Sequence, residues 1–190
     1  MRLSIVGCPD KKRFRPFVKR AAEFYAQELI SKKMRENLFI RIKFEYGLDV
    51  LGYAQIDEYN DSGKPREFLI EINAGLSAAD ILKCIAHEMV HVKQYVYGET
   101  NETLTRWKGS LITESDYWTE PWEIEAYGRE CGLFTKFAVK EKLWNVFNNI
   151  VNPDDPIESE ELGWKYPEED VVNLQQNGTS EAETLDKMPI

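Results

Sequence analysis

The chain has 190 residues, 43% of them hydrophobic and 30% charged, which suits one globular domain with a real core and leaves little room for a second. No apolar run approaches the roughly 18 residues needed to span a bilayer, and Leu3 to Cys8 is too short for a signal-peptide core, so a cytoplasmic, membrane-free protein is expected. The net charge of −9 is unevenly placed: residues 152–190 hold eleven acidic residues against Lys165 and Lys187, while residues 1–43 carry twelve Lys/Arg and four acids.

Pro16 suits the first turn of a helix, and Phe17, Ala21, Phe24, Tyr25 and Leu29 follow near a 3.6-residue period, predicting a helix over about 16–36. Three β-rich runs come next, at 38–44, 50–56 and 67–72, the last two joined by turn formers between Asn60 and Pro65. They predict a small, mostly antiparallel three-stranded sheet. If the third run is the sheet edge, an extended peptide can add to it through main-chain hydrogen bonds.

Ser77 stands three residues before Asp80, and Ile81, Ile85, Met89, Val92 and Val96 recur at helical spacing until Gly98, predicting a helix over about 78–97. Residues 99–120 read as a short hairpin or an irregular loop around Gly109. Pro121 opens another helix, with Trp122, Ile124, Tyr127, Cys131, Phe134 and Phe137 apolar, running to about 138 and, after a break, through Trp144 and Phe147. From Asn152 the chain is too poor in apolar residues to offset its conformational entropy, so a domain over 1–151 and an acidic, mostly disordered tail over 152–190 are expected. That tail, through Trp164 and Tyr166, is a candidate to fold back on the basic front or across the cleft.

The chemistry concentrates in His87-Glu88-Met89-Val90-His91, which contains both histidines of the chain. Residues four apart share one helix face, so both imidazoles can reach a single Zn²⁺ while Glu88, about 100° round the axis, can reach a water beside it. A catalytic zinc site commonly adds a glutamate, and Pro121-Trp122-Glu123-Ile124-Glu125-Ala126 offers two. Lying about 200° apart on a helix, Glu123 and Glu125 cannot both face the metal. Glu125 is preferred, because its stripe continues through Gly128 and Gly132, where missing side chains would let two helices approach.

Through the 87–94 and 121–127 segments the sequence resembles the gluzincin zinc peptidases, in particular small phage and bacterial SprT-like or minigluzincin-like proteins. The resemblance implies an α+β, zincin-like fold: an N-terminal helix, a small sheet, an HExxH helix and a C-terminal glutamate helix. It also implies a zinc-dependent metallopeptidase, with His87, His91 and Glu125 as ligands, the last because the family's glutamate directly precedes an alanine, and with Glu88 as general base. Two departures stand out. Thermolysin-type enzymes carry an aspartate four residues after that glutamate, where this chain has Arg129, and there is no third histidine. Glu123, Asp116 and Asp80 remain open as orienting partners of the ligands. Tyr95, Tyr97, Tyr117, Tyr127 and Arg129 lie near the motifs without a specific claim to catalysis.

Two other functions compete. Peptide deformylases also carry HExxH, but neither Cys84 nor Cys131 has the Gly-Cys-Leu setting of their cysteine ligand. A zincin scaffold without turnover could associate with DNA through Lys11, Lys12, Arg13, Arg15, Lys19 and Arg20, with Phe14 stacking on bases.

Overall fold

A computed structural model describes residues 1–112 and 119–143. The expected tail over 152–190, its fold-back on the body, and the helical continuation through Trp144 and Phe147 lie outside the described residues, as do Asp116 and Tyr117. Elements occur in the order β1 (Arg2–Val6), α1 (Arg15–Leu29), α2 (Lys32–Arg35), β2 (Phe39–Glu45), β3 (Gly52–Tyr59), β4 (Pro65–Asn73), α3 (Ala78–Tyr97), β5 (Arg106–Trp107), β6 (Ser110–Leu111) and α4 (Pro121–Glu141). The fold is α+β, as expected.

The sheet departs from the sequence reading. It has four strands in the order β1-β2-β4-β3, with β1–β2 and β2–β4 parallel and only β3–β4 antiparallel. The turn formers at 60–64 do close an antiparallel hairpin, held by the Asn60 side chain accepting from the backbone of Ser62 and Lys64. What periodicity could not show is that β2 pairs with β4 across that hairpin, and that the five residues of β1 join the sheet through the α1–α2 crossover. As a result the third predicted strand, β4, is interior, and the edges are β1 and β3. The expected helix over 16–36 is likewise divided: α1 stops at Leu29 because Ile30 and Ser31 are extended, and α2 restarts for one turn.

Ile40, Ile42, Phe44, Phe68, Ile70 and Ile72 alternate onto the sheet face that the helices cover, all nearly solvent-free. On that face α3 is enclosed almost all round, with every residue from Cys84 to Val96 buried. It packs on β3 and β4, on α1 and on α4. Tyr25 knits the helices together, its hydroxyl donating to the Leu82 carbonyl at 3.2 Å and its ring meeting Phe137 of α4 at 5.6 Å. The ends of α3 match the sequence reading. The Ser77 hydroxyl accepts from the Asp80 N–H at 3.1 Å, and Gly98 closes the helix at φ 65°.

The edge strand β3 is pressed against α3 at its first residue. A Cβ on Gly52 would lie 2.6 Å from Cys84 Sγ, 2.8 Å from the Glu71 carbonyl oxygen and 2.9 Å from Ile72 Cδ1. Two of these neighbours sit in the adjacent strand, so relief requires backbone movement. Gly52→Ala is expected to destabilise the protein by about 1–3 kcal/mol, measured as a lower urea midpoint with an unchanged m-value.

No helix among the described residues is long and apolar enough to cross a membrane. Near the N-terminus, Phe14 is 4% exposed within the core, so the expected stacking of its ring on a base is not available. Arg20 is committed to Glu141 at 2.8 Å and to the face of Phe17.

Candidate metal centre

Burial of α3 on all sides carries His87, Glu88 and His91 out of bulk water, at 8, 4 and 8% exposure. Their counterpart comes from α4, whose buried residues are Trp122, Glu123, Ala126, Leu133 and Phe137, with Glu123 in the first turn. Glu123 is 6% exposed, and its two oxygens reach His87 Nε2 at 3.2 Å and His91 Nε2 at 3.4 Å. The two Nε2 atoms are 3.1 Å apart. His87, His91 and Glu123 therefore form a buried group that could hold a metal ion, with one ligand atom from each within 4.8 Å of the others.

Glu125, expected to complete the site, is not in it. Its carboxylate takes the ammonium of Lys93 at 2.8 Å, the Gln94 amide at 3.2 Å and the Arg129 guanidinium at 3.0 Å. Burial opposes the charge there, but those three contacts outweigh it and hold the carboxyl below the usual carboxylate range. The glycines that favoured Glu125 do not mark a helix contact either, since a Cβ on Gly128 or Gly132 would meet nothing within 4 Å. The stripe that packs on α3 runs through Glu123, Ala126, Glu130, Leu133 and Phe137, a spacing of three, seven, ten and fourteen residues.

Two further side chains complete the arrangement, and sequence reasoning missed both. Glu130 accepts from His87 Nδ1 at 3.0 Å, and the fully buried Gln94 meets His91 Nδ1 at 2.9 Å through its Oε1. Both were findable from periodicity: Glu130 stands seven residues after Glu123 on one face, and Gln94 three after His91. Asp80 instead caps α3, bonding Ser77 and lying 3.9 Å from Lys83. The remaining residues near the motifs have structural partners. Tyr95 stacks on Phe68, Tyr97 accepts from the Ser31 N–H, Arg129 holds Glu125, and Tyr127 sets its ring edge-on to His87 at 4.6 Å. Neither Cys84 nor Cys131 is among the converging groups.

The proton arrangement decides what the site can do. With both Nδ1 atoms donating outward, each neutral imidazole turns a bare Nε2 lone pair toward the other and toward a carboxylate. Such a cluster needs a cation or protons at its centre. Without metal, protons fill that role: burial opposes charge on His87, but its bonds to Glu123 and Glu130 and the nearby Glu88 outweigh it and raise the pKa to about 9. Burial is likewise outweighed at His91, which is raised, and at Glu123, which bonds from the two histidines hold down to about 2. A metal fits the same space. Ligand atoms of one Zn²⁺ stand about 3.3–3.4 Å apart, which the 3.1 Å between the two Nε2 atoms approaches, and each Nε2 faces its own oxygen of Glu123, at 3.2 and 3.4 Å.

Glu88 contributes differently. Among the described residues its carboxyl group makes no hydrogen bond, and burial pushes its pKa up, against the pull of His91 and His87. It is a carboxylate held beside the cluster and not consumed by it. Comparison of the chain with protein-family models, with curated proteins and with solved structures returned no match, so the chemistry of the centre rests on its own atoms.

Proposed function

We propose that the protein is a zinc-dependent peptidase of zincin-like architecture, in which His87, His91 and Glu123 hold the metal and Glu88 is the general base. The observation that carries this reading is the buried convergence of His87, His91 and Glu123, in which two Nε2 atoms 3.1 Å apart each face a different oxygen of one carboxylate, at 3.2 and 3.4 Å, with both outer imidazole nitrogens already committed to acceptors. Zn²⁺ in such a site lowers the pKa of water toward about 7 and polarises a carbonyl group. Glu88 accepts a proton from the attacking water and returns it to the leaving amine nitrogen. Burial suits it to this role, because a carboxylate with a raised pKa is a stronger base than an exposed one. Of the two sheet edges, the one beside the HExxH helix and suited to an extended peptide is β3, whose first residue lies against Cys84, one turn before the HExxH segment.

The test is metal analysis of the purified full chain, followed by hydrolysis of unfolded casein with and without a zinc chelator. About one zinc per chain is expected, with cleavage lost on chelation and restored by added Zn²⁺. A stoichiometric zinc protein that cleaves no unfolded substrate would instead be a binding scaffold.

A further inference from the structure

The residue that the sequence singled out as a ligand has a different role, one that rests on the metal-binding reading above. We propose that Glu125 and Gln94 are positioning residues for His91: Glu125, together with the Trp122 carbonyl, fixes which end of the Gln94 amide faces His91, and so which imidazole nitrogen is left for a metal.

Gln94 is fully buried, and three groups surround its amide. Two of them, the Trp122 carbonyl at 2.9 Å and the Glu125 carboxylate at 3.2 Å, are acceptors that carry no proton. Only the NH₂ end can face them, since the flipped amide would place its oxygen against a carbonyl and a carboxylate in a dry interior. The amide oxygen must then face His91 Nδ1, at 2.9 Å, and can only accept there. His91 is thereby held as the Nδ1–H tautomer, with the Nε2 lone pair directed at Glu123 and His87.

Glu125 is itself fixed from the other side. Lys93, 8% exposed, places its ammonium 2.8 Å from Glu125 and 2.6 Å from Glu99, so α3, the start of α4 and the segment that leads to β5 meet at one charge. The Arg129 guanidinium covers the same carboxylate oxygen. A buried polar chain thus runs from Lys93 through Glu125 and Gln94 to His91, and every member has its partners. His87 is oriented independently, by Glu130.

The experiment compares Zn²⁺ affinity, by competition with a chromophoric chelator, for the wild-type full chain and for Gln94→Leu, Glu125→Ala and Glu125→Gln. In parallel, ¹H–¹⁵N spectra of the zinc-loaded proteins follow the imidazole signals, which come from only two histidines. Gln94→Leu is expected to weaken zinc about 10–100-fold and to turn a slowly exchanging His91 Nδ1–H proton into a rapidly exchanging one. Glu125→Ala should move both readouts in the same direction. Glu125→Gln, whose amide oxygen still accepts from Gln94, should recover most of the affinity and the protected proton. If Gln94→Leu does not fold, the two Glu125 variants carry the test.

Variants that all keep wild-type affinity and a protected Nδ1–H would overturn the relay while leaving the metal site standing. Glu125→Gln losing zinc as completely as Glu123→Ala would overturn it too, by making Glu125 a ligand. A wild-type chain that binds no zinc would overturn the metal reading itself.

Discussion

Glu123→Ala is expected to lose zinc more severely than any other substitution on α4, by more than the roughly 10–100-fold that follows loss of an orienting partner. The carboxylate faces both Nε2 atoms at once, so its removal takes one of three candidate donors and, among the described residues, the one negative charge bonded to both imidazoles. The metal-free protein offers a second readout of the same contact. His87 has its pKa raised to about 9 from 6.5, so its contribution to stability is fully present below pH 6.5 and is lost as pH rises through about 9. Glu123 is lowered to about 2 from 4.5, so its contribution is present above pH 4.5 and is lost as pH falls through about 2. Glu123→Ala should therefore shift the His87 titration downward, since burial opposes the charge and, among the described residues, Glu130 is then the one carboxylate bonded to the ring. A competition titration for zinc and a histidine NMR titration check the two halves. Unchanged zinc affinity together with an unmoved His87 titration would remove Glu123 from the centre.

The same residue marks where the sequence was legible and where it was not. Both ends of the α3 helix were legible, because Ser77 and Gly98 are chemical punctuation and the apolar spacing between them is strong. So were the two imidazoles, because four-residue spacing on a helix puts them on one face regardless of what surrounds them. The choice between Glu123 and Glu125 depends on which face of α4 is buried, and the Gly128–Gly132 stripe that favours Glu125 is not that face. Trp122, Ala126, Leu133 and Phe137 place the inward face near Glu123 and Glu130, whereas Gly128 and Gly132 lie in open space. A missing side chain is compatible with close approach but does not cause it; buried apolar area does.

The sheet was harder for a related reason. Alternation in Ile40-Arg41-Ile42 and Phe68-Leu69-Ile70 shows that strands exist and which face they bury, yet it is silent on pairing direction. A hairpin advertises itself through its turn residues, as Asn60 to Lys64 do. A parallel pair such as β2–β4 leaves no local mark, and neither does a five-residue strand at the start of the chain. With β4 interior, the edge strand that touches the HExxH helix α3 is β3, at Gly52.

Glu88→Gln is the substitution expected to separate binding from turnover. Glutamine keeps the volume and the polar end of the side chain at a position that is 4% exposed, so the packing of α3 and the His87–His91–Glu123 triangle should survive. What it removes is the ability to take a proton. General-base groups contribute typically about 10²–10⁴-fold, and kcat/KM on an unfolded protein or peptide substrate should fall by that factor with zinc content unchanged. The positions of Glu88 and Glu123 make the two variants complementary. Glu123 is bonded to both imidazoles and should act on metal content first. Glu88 feels their charge without sharing a hydrogen bond with either, and should act on rate alone. Metal analysis and single-turnover cleavage on the same preparations check this. A Glu88→Gln protein that cleaves at the wild-type rate would show that another group takes the proton, and one that loses its zinc would show that Glu88 holds the metal rather than the water.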